Sequence, residues 1–101
     1  VTTNPRFILV NPGELRLPPP RRSGADPFKL AQQMRQFGDS TEGMPPLELT
    51  RGDRGELMIN DGVTRASRIA KLRPGVIIPA EVIEDCPGVS FHHLPRVKET
   101  L

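Results

Sequence analysis

The segment from Leu57 to Leu72 constrains the fold of this chain more than any other. A short apolar run, Leu57-Met58-Ile59, meets the turn residues Asn60-Asp61-Gly62 and passes at once into Val63-Thr64-Arg65-Ala66-Ser67-Arg68-Ile69-Ala70-Lys71-Leu72. This is a strand, a tight turn and a helix. Asn or Asp ahead of a helix is a favoured N-cap, and Gly62 lets the backbone come close to whatever lies above the turn. The first N–H groups of a helix have no partner within it, and its dipole favours an anion at that end. Arg65 and Arg68 stand on the same helix. The arrangement suits a phosphate or another oxyanion.

Other elements follow from the pattern around it. Phe7-Ile8-Leu9-Val10 is a continuous apolar run expected to form a buried strand, ended by Asn11-Pro12-Gly13. Pro18-Pro19-Pro20 excludes helix and central strand, so Leu15 to Gly24 is an extended loop or a polyproline ligand for a partner. Asp26-Pro27 opens a helix as N-cap and first residue, and Gly38 closes it. Leu30, Met34 and Phe37, helped by Ala31, form its expected buried stripe, with Gln32, Gln33, Arg35 and Gln36 facing water. Pro45 to Leu49 and Glu56 to Asn60 form a β-hairpin around Arg51-Gly52-Asp53-Arg54-Gly55. Arg51-Gly52-Asp53 matches an adhesion tripeptide, but a hairpin tip is the simpler explanation. Val76 to Ile83 is a strand in which Pro79 marks an edge or a kink. Beyond Cys86-Pro87-Gly88 the pattern weakens, and Pro95 to Leu101 is a short helix that either packs on the domain or continues into a further segment. The fold class expected is α+β, a small mixed sheet with helices, in one domain over residues 1–101 with its core at about 7–84.

Composition narrows the function classes. A chain of 101 residues supports one modest core. With four Phe and neither Trp nor Tyr, that core is aliphatic. The formal net charge of +2 leaves any basic site local rather than global. The single Cys86 excludes an internal disulfide and is treated as a small, buried or half-buried residue. His92 and His93 are adjacent, so their rings diverge, and no third ligand falls at metal spacing. No transmembrane run or signal-peptide pattern is present, so no membrane partner and a cytoplasmic location are expected. The first residue is Val rather than Met, as in a processed product or a piece of a longer protein.

A helical wheel separates the two arginines. Val63, Ala66, Ile69, Ala70 and Leu72 fall on one side; Thr64, Ser67, Arg68 and Lys71 fall on the other. Arg65 lies at the edge of the apolar arc, where a partly desolvated guanidinium needs a partner. Glu14, Glu48, Asp61 or a bound phosphate would serve. Arg68 is expected on the solvated side, as a surface charge or a ligand contact. Asp61 either caps the helix or holds a divalent metal or acts as a base beside a phosphate. If the strands are neighbours, the proline loop brings Glu14, Arg21 and Arg22 over the helix N-terminus.

In order along the chain, Pro45 to Leu49, Glu56 to Leu72 with its Gly62-x-x-Arg65 turn, and Ile78-Pro79-Ala80-Glu81-Val82 resemble the ParB/sulfiredoxin-type domain. Leu17 to Arg22 is similar to that family's proline- and arginine-containing first motif, and Phe28 to Gly38 to its first helix. The resemblance spans residues 7–84. It implies a phosphate pocket at Gly62, Val63, Thr64 and Arg65, with Arg68, Arg21 and Arg22 as further contacts. It also implies a nucleotide such as ATP, ADP or CTP, or nucleic acid such as DNA, as ligand. Family members hydrolyse CTP, phosphorylate serine, reduce a sulfinic acid with ATP, or cut nucleic acid. Val63 stands where the sulfinic-acid reductases carry Cys, and Val63-Thr64 where the partitioning proteins carry Glu-Arg, so both chemistries are disfavoured. The serine-kinase-like and nuclease branches are closer. There Asp61 would hold Mg²⁺ or assist proton transfer, and Glu14 would be the candidate base. The rival expectations are a non-catalytic module that binds a protein and a toxin-type nuclease fragment of a larger protein.

Overall fold

The computed structural model describes residues 6–101; residues 1–5 of the expected domain lie outside the described residues. Four strands and two helices follow in the order β1 (Phe7–Val10), α1 (Pro27–Phe37), β2 (Leu47–Arg51), β3 (Leu57–Asp61), α2 (Val63–Leu72) and β4 (Ile78–Asp85). Short 3-10 turns lie at Pro12–Glu14, Pro19–Arg21 and Val97–Thr100. The sheet order is β1-β4-β2-β3. β4 runs antiparallel to β1 and parallel to β2, while β2 and β3 form the expected antiparallel hairpin. The fold is therefore a small α+β arrangement on a mixed sheet.

Because β3 turns directly into α2, the helix is thrown back across the sheet and delivers β4 on the far side of β2. Its Ala66, Ile69 and Ala70 pack on Leu47, Leu49, Ile59, Ile78 and Ala80 to make the core. Each Leu or Ile side chain so withdrawn from water contributes roughly 1.5–3 kcal/mol, and each Ala less. α1 rests on α2 rather than on the sheet. That corrects the expected stripe: no residue of α1 is fully buried, and Phe37 is 46% exposed. The helix caps are as expected, with Asp26 Oδ1 accepting from the N–H groups of Phe28 and Lys29 at 2.9 and 3.0 Å.

β1 also departs from expectation. It is an edge strand, and Phe7 and Leu9 are 70% and 71% exposed on the outer face of the sheet. A continuous apolar run cannot distinguish a strand covered on two faces from one covered on a single face. Pro79 lies inside the sheet rather than at its edge. The Val82 N–H donates to Arg6 O, so Ala80 and Val82 turn their backbone groups toward β1 and Pro79 turns away. Pairing with β2 begins only at Ala80, so the missing Pro79 N–H removes no ladder bond.

The C-terminal stretch belongs to the core. Phe91, Leu94 and Val97 are buried. Arg16 bridges β3, donating to Leu57 O at 2.8 Å and accepting from the Ile59 N–H at 3.0 Å. The returning chain lies beside that segment, with the Leu17 N–H on Pro95 O (2.8 Å) and the Val97 N–H on Leu15 O (2.9 Å). The Arg51-Gly52-Asp53 tripeptide is a structural hairpin turn whose Gly52 is buried. A Cβ there would stand 2.8 Å from Phe91 Cδ2.

Candidate functional site

The N-terminus of α2 opens into a hollow of about 280 Å³. Gly62 begins the helix in the left-handed region at φ 112°, and no side chain caps it. A Cβ at that position would stand 2.5 Å from Leu47 Cδ2, so glycine is required by both backbone and space. This corrects the capping role expected of Asp61. Asp61 ends β3 instead, and its carboxylate approaches Arg65 Nη2 at 3.5 Å. The first-turn N–H groups of Val63, Thr64 and Arg65 are thus left to the hollow that these residues line.

Arg65 occupies the half-desolvated place its position on the wheel demands, with its side chain 20% exposed. Besides Asp61 it reaches Pro46 O at 3.3 Å, and its Nε is buried without a hydrogen-bond partner. Arg21 joins the hollow from the 3-10 turn that follows the buried Leu17. The Gly24 N–H donates to Arg21 O at 2.9 Å, and Gly24 itself packs so closely on Thr100 that a Cβ would collide with it. The C-terminal turn therefore holds the arginine loop in place. Three cations, Arg21, Lys29 and Arg65, face one carboxylate, Asp61, around this space. The excess positive charge and the open helix end both favour an anion.

Lys29 and Gln33 were not among the residues expected here. They stand one helical turn apart on α1 and line the hollow, although Gln33 was expected to face water. The Asp26-Pro27 start fixes the phase of α1, so the pairing of 29 with 33 on one face is legible. Which face meets α2 is set only by tertiary packing. Asn60 also lines the space.

Three expected contacts lie elsewhere. Glu14 is at the other end of α2, where it accepts from Lys98 Nζ at 2.6 Å and Arg96 Nη1 at 3.0 Å. Its carboxyl is held below the ordinary value by the Lys98 hydrogen bond first, and then by the charges of Lys98 and Arg96. Arg22 is exposed and lines no part of the hollow. Arg68, expected on the solvated side, is 2% exposed. Its Nη1 donates to Gly38 O and Ser40 O, both at 2.8 Å, and its guanidinium lies 5.4 Å from the Phe37 ring centre. The wheel failed there because α1 and the loop after it cover that flank of α2, which burial of Ser67 shows as well.

No family model, curated protein or solved structure matches the chain. Among the described residues, no helix is long and apolar enough to cross a membrane, and no group of three or more His, Cys, Asp or Glu side chains is placed to hold a metal ion. His92 Nε2 instead lies 3.3 Å from the largely buried Glu56 carboxylate, tying the C-terminal stretch to the hairpin turn. Cys86 is half-buried, and burial first, then the nearby Glu84, pushes its thiol upward, away from a reactive thiolate.

Proposed function

We propose that this chain is a ParB/sulfiredoxin-like domain that binds the phosphate of a nucleotide or nucleic acid at the N-terminus of α2. The observation that carries this reading is the meeting of an uncapped helix end at Gly62 with Arg21, Lys29 and Arg65 around one hollow. Backbone N–H groups and a dipole would hold the phosphate oxygens, and the three side chains would neutralise its charge. Asp61 is the single carboxylate at this place, so phosphotransfer or nuclease chemistry rests on it now that Glu14 stands apart. One carboxylate suffices for Mg²⁺ when phosphate oxygens and water supply the other ligands.

The test is thermal unfolding of the full chain with ATP, ADP, CTP or a short oligonucleotide, each with and without Mg²⁺. A ligand at a hundred times its Kd stabilises the folded state by about 2.7 kcal/mol. The expected result is a rise in Tm that Arg65→Ala or Arg21→Ala removes while the variants stay folded. A folded wild-type chain indifferent to all four probes would overturn the reading.

A second reading, the protein-binding module, draws on the open outer face at Phe7 and Leu9. It predicts partner binding that Phe7→Asp abolishes and that nucleotides leave unchanged. The proline loop gives it no support, since Pro19–Arg21 coils into a 3-10 turn rather than an extended polyproline ligand.

A further inference from the structure

A second hollow, of about 240 Å³, lies between the end of α1 and the loop that leads into β2. Phe37, Met44 and Pro45 give it apolar walls, Arg65 and Arg68 give it two guanidinium groups, and Glu42 adds a carboxylate. Gln33 and Arg65 line this hollow and the first one.

Two features set it apart from an ordinary surface depression. Arg68 is a buried cation, yet among the described residues no carboxylate comes within ion-pair distance of it. Its hydrogen bonds go to neutral acceptors: two carbonyl oxygens and the weakly accepting Met44 sulfur, 3.4 Å from Nη2. In addition, the Nε–H donors of Arg65 and Arg68 are both buried without a hydrogen-bond partner, and both residues line this space. Buried polar atoms in that state are scarce in folded proteins and call for a reason.

We propose that this hollow binds a small organic carboxylate, with its carboxyl group drawn to Arg68 and its apolar body against Phe37, Met44 and Pro45. The charge count favours a monoanion. The Arg65 charge is already answered by Asp61, Asp39 acts on Arg68 only from beyond ion-pair distance, and Glu42 would repel a second negative charge. A carboxylate is planar, and its oxygens match the N–H fork of a guanidinium. It would engage the Nη2 side, replacing the thioether of Met44 with a far stronger acceptor. The volume admits a single ring or a short branched chain. The proposal is independent of the phosphate reading, because Arg21 and Lys29 line only the first hollow.

The test is a titration of the ¹⁵N-labelled full chain with sodium benzoate, benzamide and inorganic phosphate, followed by amide chemical shifts. Benzoate is expected to give saturable shifts centred on Phe37, Met44 and Arg68, and benzamide and phosphate none at those positions. Glu42→Gln, which removes the repelling charge from an exposed residue, should tighten benzoate severalfold. Phe37→Ala should weaken it severalfold, and Arg21→Ala should leave it unchanged while suppressing any phosphate response at Gly62. Absence of saturable shifts, equal binding of benzamide or phosphate in this hollow, or benzoate affinity indifferent to Glu42→Gln would each overturn the proposal.

Discussion

Arg65 Nη2 stands 3.5 Å from Asp61 Oδ2, one helical turn back along the chain. The carboxylate, 68% exposed, therefore sits at the same hollow as the cation it answers. An arriving phosphate must compete with it or recruit Mg²⁺ to bridge the two negative groups. Asp61→Asn should strengthen the nucleotide-induced rise in Tm without Mg²⁺ and abolish any gain from adding it. Losing this exposed pair should cost the free protein under about 1 kcal/mol. A variant that no longer responds to nucleotide at all would make Asp61 a ligand contact rather than a counter-charge.

Gly62→Ala tests the helix start. The substitution forces a side chain into φ 112° and puts its Cβ 2.5 Å from Leu47 Cδ2 and 3.0 Å from Arg65 Nη2. Backbone strain and overpacking each cost roughly 1–3 kcal/mol, and here they act together. Urea unfolding should show a clearly lower midpoint, with nucleotide affinity reduced in whatever fraction remains folded.

Arg68→Met keeps most of the side-chain volume and removes the donors to Gly38 O and Ser40 O. The expected loss is about 1–3 kcal/mol in denaturant unfolding, from carbonyls left without their charged partner. Arg68→Lys should recover only part of it, because an ammonium lacks the planar fork. An Arg68→Met protein as stable as the wild type would show that the hydrogen bonds to Gly38 O and Ser40 O do not hold the loop.

Acid should loosen the C-terminal turn. Glu14 is held below its ordinary 4.5 by Lys98 and then Arg96, and Glu99 below 4.5 chiefly by its hydrogen bond from the Arg96 side chain. Carboxyls with a depressed folded-state pKa contribute stability that is fully present above the unfolded value and is lost as pH falls through the lower folded value. Stability should therefore hold near neutrality and decline below pH 4.5, with salt blunting the effect at these exposed pairs. Glu14→Gln should flatten the decline, as followed by Tm against pH.

Much of this architecture was legible where local chemistry decides the outcome. Asp26-Pro27 and Gly38 bound α1, the Gly-containing turn fixed the hairpin, and the strand–turn–helix from Leu57 placed Gly62 and Arg65 at one hollow. What was not legible depends on contacts far apart in sequence. Glu14 follows β1 closely, and its distance from Gly62 is settled by the length of α2 and by Lys98 at the other end of the chain. Arg68 looked solvated because a wheel knows one buried face, whereas α2 is covered by the sheet on one side and by α1 on another. A segment of mostly single apolar residues carries no periodic pattern, so the docking of the last residues on the domain is one of two open readings and the burial of Leu94 is not legible.

The strand order has a consequence for how the chain assembles. β1 pairs with β4 alone, and Phe7 lies opposite Glu81. The hairpin and α2 can close on one another over short loops, but β1 has no partner in the sheet until the segment beyond residue 78 exists and has docked. During synthesis the Phe-Ile-Leu-Val run consequently emerges before the other strands of this sheet and is the last of them to be paired. For that interval it is an unsatisfied β-edge, open to chaperones or to another nascent copy.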